Sequence, residues 1–203
     1  MVKFVPSTQL KMMLFIYICS VYSMLSPNTL AQTPVNAKVT PTFYFKDVSN
    51  FEILGLLPGN TLYSRLPSDA EGEVRPAVWK LSKNSAGISI RFNSNSSTIK
   101  IRWTLDNKRV KGNMTPISSN GLDLYAFTKD RRQFVGVAIP GTEVTNEATV
   151  ITGMGKQDRE YLLNLPRYEG VNMLEIGIDE EATITKPKKT IIDQKKTHNL
   201  LRD

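Results

Sequence analysis

Few groups in this chain of 203 residues could carry covalent or metal chemistry, and their positions limit what they can do. Catalysis by a hydroxyl nucleophile needs an imidazole to take the proton and, usually, a carboxylate to orient that imidazole. The single histidine, His198, sits in a charged C-terminal stretch, five residues after Asp193, with no packed element to hold it. It reads as a solvated tail histidine, and no catalytic residue is assigned. One histidine and one cysteine, Cys19, are too small a ligand supply for zinc or another transition metal, so no metal site is assigned and no cofactor is expected, while a hard-cation site built from Asp and backbone oxygens stays open. Asp158 to Glu160 and Asp179-Glu180-Glu181 lack the spacing of a calcium loop and read as solvated end charges. Gly153-Met154-Gly155 with Lys156 lacks the remainder of a phosphate loop and the helix that should follow it, so a hairpin turn is expected there.

Two sets of residues could instead contact a ligand. Asp123 lies between Leu122 and Leu124 in a strand-like run, where an ionised carboxylate, if buried, needs a charged or multiply hydrogen-bonded partner. Arg75 and Arg91 are the candidate partners. A buried ion pair or a turn cap is the plainer reading of Asp123, and a ligand contact is the other. Trp79, Trp103 and Tyr125 offer flat apolar faces that could stack on a sugar, although core packing is the commoner use of such residues, and Tyr125 is the best placed of the three to be exposed. Asn95-Ser96-Ser97 and Asn113-Met114-Thr115 fit a glycosylation sequon and read as turn residues.

The elements that would position these groups have the period of strands. Trp79-Lys80-Leu81, Ile88 to Phe92 and Ile99 to Trp103 place apolar side chains two apart. Leu122 to Thr128, Phe134 to Ile139, Ala148 to Met154, Glu160 to Leu165 and Asn172 to Ile178 are further strand candidates, and turn-forming residues separate them. About eight closely spaced strands without alternating helices predict an all-β fold, an antiparallel sandwich or jelly roll over residues 40–181, and exclude a doubly wound α/β sheet.

The two ends are of different character. Lys3 and Lys11, an apolar run from Met12 to Leu25 and the small-residue site near Ala31 predict a signal peptide over residues 1–31, hence a secreted or periplasmic protein. That run is shorter than the roughly 20 residues needed to span a bilayer, so no stable membrane insertion is expected after cleavage. Tyr17-Ile18 before Cys19 argues against a lipid anchor. The net charge of +7 is concentrated in the leader and in a lysine-rich tail, residues 182–203, which leaves the body near neutral and argues against a nucleic-acid partner.

Several segments occur together in a recognisable order: Tyr63-Ser64-Arg65-Leu66-Pro67, Val74 to Ser82, Ser85 to Phe92, Gly121-Leu122-Asp123-Leu124-Tyr125, Tyr161 to Pro166 and Leu174-Glu175-Ile176-Gly177. Together they resemble the N-terminal β-sandwich module, marked by Gly-x-Asp-Leu-Tyr, that precedes the catalytic domain of bacterial SGNH/GDSL hydrolase-type esterases. The resemblance covers about Tyr44 to Ile178. It implies a jelly-roll-like module followed by a catalytic domain, in secreted enzymes that remove acyl groups from carbohydrates. In that family a Gly-x-Ser block with the nucleophile follows the linker, and an Asp-x-x-His comes later. Thr183 to Asp203 holds no serine, and Asp193 stands too far from His198 for that pattern. Relatives often carry a histidine where this chain has Asn113, which weakens the case for that loop in an active site.

The resemblance therefore implies a non-catalytic accessory domain that positions acylated polysaccharide or packs on a hydrolase domain absent from this chain. One alternative is the first part of a split esterase with a separately supplied catalytic domain, which should leave an apolar patch bare at the docking face. The other is a stand-alone interaction protein at the cell surface.

Overall fold

The computed structural model describes residues 42–187, apart from Pro58, Thr61, Leu62, Lys108, Arg109, Lys111, Lys129 and Asp130. The chain divides into residues 1–40 and 41–203, and the described residues lie in the second unit. The leader, Cys19, Asp193 and His198 lie outside the described residues.

Among the described residues ten strands form two antiparallel sheets. They are β1 (Phe43–Asp47), β2 (Glu52–Leu54), β3 (Ser89–Ser94), β4 (Ile99–Leu105), β5 (Leu122–Thr128), β6 (Arg131–Ala138), β7 (Thr145–Ile151), β8 (Arg159–Asn164), β9 (Val171–Asp179) and β10 (Ile184–Thr185). One sheet runs β1-β9-β4-β7; the other runs β10-β3-β8-β5-β6, with β2 also paired to β3. The expected all-β, antiparallel class is what is found. The strands not anticipated, β1, β2 and β10, all lie at sheet edges, and β10 falls beyond the expected boundary at 181.

Alternation of side chains builds the core between the sheets. Ile99, Ile101, Trp103 and Leu105 of β4 point inward and are buried, while Lys100, Arg102 and Thr104 point outward. They meet Ile90 and Phe92 of β3, Leu122 and Leu124 of β5, and Tyr161 and Leu163 of β8 in a single apolar cluster. The Phe92 and Tyr161 rings stack at 5.2 Å between centroids. Each fully buried side chain of this kind contributes about 1.5–3 kcal/mol. Trp103, 0% exposed, belongs to this core and is unavailable to a ligand, which removes it from the stacking candidates.

Trp79 is also placed differently from the expectation. It lies on helix α1 (Pro76–Ser82), with Pro76 at the first helical position, where its fixed φ is already helical and its missing N–H costs nothing. A three-residue alternation is too short to distinguish strand from helix, and the Pro76 signal outweighs it. A second short helix, α2 (Pro116–Asn120), also starts at a proline, and Thr115 caps it by accepting from the Ser118 N–H. The Gly153–Gly155 stretch is no hairpin turn. It carries the chain from β7 in one sheet to β8 in the other, and the Met154 N–H donates to the Ser97 carbonyl at 3.0 Å.

Charged side chains fasten the outer faces. On the four-stranded sheet Arg102 donates to Glu147 and to Glu175, and its guanidinium lies 3.7 Å from the Phe45 ring centroid. Burial alone would raise the Glu147 carboxyl, but hydrogen bonds from Arg102 and Lys100 outweigh it and hold the group below its ordinary range. Phe45 fits there because its neighbour is Gly177, where an added Cβ would come within 2.7 Å of the ring.

Candidate functional site

Three of the six sequence-predicted ligand residues, Arg91, Asp123 and Tyr125, lie on the six-stranded sheet and share its outer face, whereas Trp103 is on β4 of the other sheet and Arg75 and Trp79 are at α1. Asp123, Tyr125 and Arg91 point away from the core, since Leu122, Leu124 and Ala126 alternate with the first two and Ile90 and Phe92 flank the third, all of them buried inward. Cross-strand register sets two adjacent rows. Ser89, Asn164, Asp123 and Val137 form one, and Glu52, Arg91, Leu162, Tyr125 and Phe134 form the other.

Neither arginine pairs with Asp123. Arg91, 5% exposed, is held by Glu52 at 2.9 Å and by Glu160 at 2.9 Å, so cross-strand partners within the sheet have taken the guanidinium. Arg75 is exposed at the N-cap of α1. The Asp123 carboxylate is half-buried and makes no hydrogen bond or ion pair among the described residues. Beside it the Asn164 amide oxygen accepts the Ser89 hydroxyl at 2.7 Å.

The aromatic component of this face is a pair. The Tyr125 and Phe134 rings meet edge to face at 5.7 Å, and Phe134 is 55% exposed. Phe134 did not emerge from the sequence as a site residue, because a bulge between Leu124 and Tyr125 sets the register that brings the two rings together. Nor did Asn164, whose only signal was a polar residue directly after Tyr161-Leu162-Leu163.

The glycine of Gly121-Leu122-Asp123-Leu124-Tyr125 has a steric reason. A Cβ at Gly121 would lie 2.5 Å from the Ile117 carbonyl oxygen and 3.3 Å from that of Ala138, so α2 can close onto the start of β5 only without one. Three more of the recognisable segments pin the same end of the sandwich. Arg65 donates through its backbone to Ser82 at 2.8 Å and through its guanidinium to the Leu81 carbonyl at 2.6 Å. The Ser85 hydroxyl bridges the Tyr63 carbonyl and the Val171 N–H. Tyr63 itself sits at φ 65, in the left-handed region, and burial, with nearby Asp47, pushes its phenol well above the ordinary range. The Ser85 N–H donates to the Glu169 carbonyl, and the Tyr168 N–H to the Ser119 carbonyl.

These ties, with the Asn60 N–H donating to the Leu57 carbonyl and its amide to the Ser64 carbonyl, gather α1, α2, the described residues of 57–67 and the loop 167–170 at one end. That end leaves Leu57, Val78, Leu81, Ile117 and Tyr168 exposed. Trp79 lies there too, with its indole N–H donating to Glu71 at 2.9 Å and the Lys83 ammonium 3.6 Å from its ring centroid. Among the described residues no cluster of three His, Cys, Asp or Glu side chains could hold a metal ion, and no helix is long and apolar enough to cross a membrane.

Residues 43–184 match the family described as GxDLY, the N-terminus of SGNH hydrolase-type esterases. Among solved structures the chain is similar to a GDSL-like lipase from Bacteroides ovatus, at 33% identity and a TM-score of 0.69, over 73% of this chain and 44% of that one. The chain thus spans under half the length of that relative. A salicylyl-acyltransferase from a tetracycline biosynthetic pathway aligns at 16% identity with a TM-score of 0.48, over 75% of this chain and 41% of the other, too remote to inform fold or function. No curated protein sequence matches the chain.

Proposed function

This chain belongs to the GxDLY family, the N-terminal module of SGNH hydrolase-type esterases, and from that premise we propose that it is a non-catalytic accessory module that packs against a hydrolase domain through its helical end. The observation that carries the reading is the group of apolar side chains left bare there: Leu57, Val78, Leu81, Ile117 and Tyr168. Single exposed apolar residues are ordinary, but several on mutually tied segments at one end make a surface suited to burial.

The course of the chain agrees with this. β10 runs antiparallel to β3, with Ile184 opposite Ser94 and Thr185 opposite Asn93, so the strand itself points toward the Ser89 end of β3, where α1 and α2 lie. A domain that follows β10 therefore follows a strand aimed at the apolar end. Under this reading the partner is an SGNH-type domain that hydrolyses acyl esters of carbohydrate. The leader-like first 31 residues would place the pair outside the cytoplasm.

Scanning calorimetry tests the packing. Residues 32–203 would be joined to the part of the Bacteroides ovatus lipase that lies outside the match and compared with the two pieces alone. Docking predicts one cooperative transition above that of either piece, returning to two when Leu81 and Ile117 are both replaced by arginine. Two transitions at the temperatures of the separate pieces in the unaltered fusion would count against it.

A further inference from the structure

We propose that the outer face of the six-stranded sheet, where Tyr125 and Phe134 adjoin Asp123 and Asn164, is a binding platform for a carbohydrate chain laid across β8, β5 and β6. Taking acylated polysaccharide as the ligand rests on the accessory-module reading, but the platform itself stands on side chains away from the helical end, and packing can fail without touching it.

Three features point the same way. Phe134 leaves more than half of its surface in solvent on a sheet face, and Tyr125 braces it edge-on, so the ring is presented rather than free to fold away. Asp123 keeps a half-buried carboxylate that makes no hydrogen bond among the described residues, so its acceptor oxygens are open to a ligand. The Asn164 amide oxygen is engaged by Ser89, and its NH2 group donates to no acceptor among the described residues. An acceptor and a donor therefore stand on neighbouring strands, opposite each other in register.

That combination selects a class of ligand. Vicinal hydroxyls donate to a carboxylate and accept from an amide, while the C–H face of a pyranose lies on an aromatic ring. The strand spacing of about 4.8 Å is close to the length of one sugar unit, so successive units can follow successive strands. The carboxylate disfavours phosphate, nucleic acid and other anions. Arg91 is taken by Glu52 and Glu160 and offers no free cation beside Asp123; the exposed Arg132 stands further along β6, opposite Phe127.

An NMR titration of residues 32–203 with xylohexaose, acetylated xylohexaose, cellohexaose and mannohexaose at millimolar concentration reads the site directly. At least one of these should shift the resonances of Asp123, Tyr125, Phe134 and Asn164, and Phe134→Ala should weaken its binding about tenfold with an unchanged melting temperature. Asp123→Asn, which keeps the shape and removes the charge, should also weaken it. The platform is overturned if none of the four hexasaccharides perturbs these residues, or if the perturbation survives Phe134→Ala unaltered. Binding seen only at other residues also overturns it, while the packing role is decided separately by the calorimetry.

Discussion

Asp179 and Ser97 are joined twice: one carboxylate oxygen of Asp179 accepts from both the backbone N–H and the hydroxyl of Ser97, each at 2.7 Å. The same oxygen accepts from the Ser96 hydroxyl at 3.0 Å and the Thr98 N–H at 3.2 Å, so the end of β9 holds the whole β3–β4 turn. Burial pushes this carboxyl upward, and the bonds from Ser97, Ser96 and Thr98 outweigh it, leaving the group below its ordinary value. Because the folded value lies below the unfolded one, the stabilisation is complete above the unfolded value of about 3.9 and is lost as pH falls through the folded one. Asp179→Ala should cost about 2 kcal/mol at neutral pH by urea denaturation. Asp179→Asn should flatten the loss of stability between about pH 5 and pH 2 relative to the unaltered protein.

Arg91→Ala should be among the most damaging single changes on the outer face. It leaves Glu52 and Glu160 facing each other across a site that is only 6% exposed at the guanidinium. A loss of about 3 kcal/mol in denaturant midpoint analysis is expected, against less than half of that for Glu52→Gln, whose partner retains Glu160.

Asp123→Ala is expected to behave in the opposite way. With no partner to lose among the described residues, the variant should stay within about 0.5 kcal/mol of the parent, or gain slightly. A marked fall in melting temperature would reinstate a structural ion pair or cap at this position.

Gly121→Ala should separate sterics from sequence identity in the Gly-Leu-Asp-Leu-Tyr segment. The added methyl meets two backbone carbonyl oxygens, which cannot rotate away, so α2 must move off β5 at a cost of about 1–3 kcal/mol. Amide exchange should show the loss concentrated in residues 116–122 rather than spread through the sheets.

The two tryptophans should report different environments. Trp103 is fully buried and Trp79 partly exposed beside Lys83. Trp79→Phe should leave a blue-shifted emission that acrylamide barely quenches, and Trp103→Ala should cost about 3–5 kcal/mol.

How far the sequence speaks depends on the kind of information required. β4 and β5 alternate cleanly over seven residues each, and an alternation of that length can be read from residue types alone. β1, β2 and β10 are edge pieces of two to five residues whose pairing partners are remote in the chain, and a period cannot show in so few positions. For the same reason Arg91 could be offered from sequence as a partner for Asp123, while the carboxylates that hold it stayed out of view. Glu160 lies 69 positions away, and the register of β3 on β8 makes the choice. Several of the recognisable segments meet at the end of the sandwich where α1 and α2 lie. The exposed ring of Phe134 comes from a bulge that no residue type announces.

The edge of β3 is completed by two segments from opposite ends of the module, Glu52 to Leu54 along Ser89 to Arg91 and Ile184 to Thr185 along Asn93 to Ser94. During synthesis the first of these emerges early and the second last. Half of that edge therefore stays open, with unpaired amides able to recruit a neighbouring chain, until translation has passed residue 185. Among the described residues β10 is the last strand the ribosome delivers, so chains interrupted just before it are expected to pellet more readily than chains that include it.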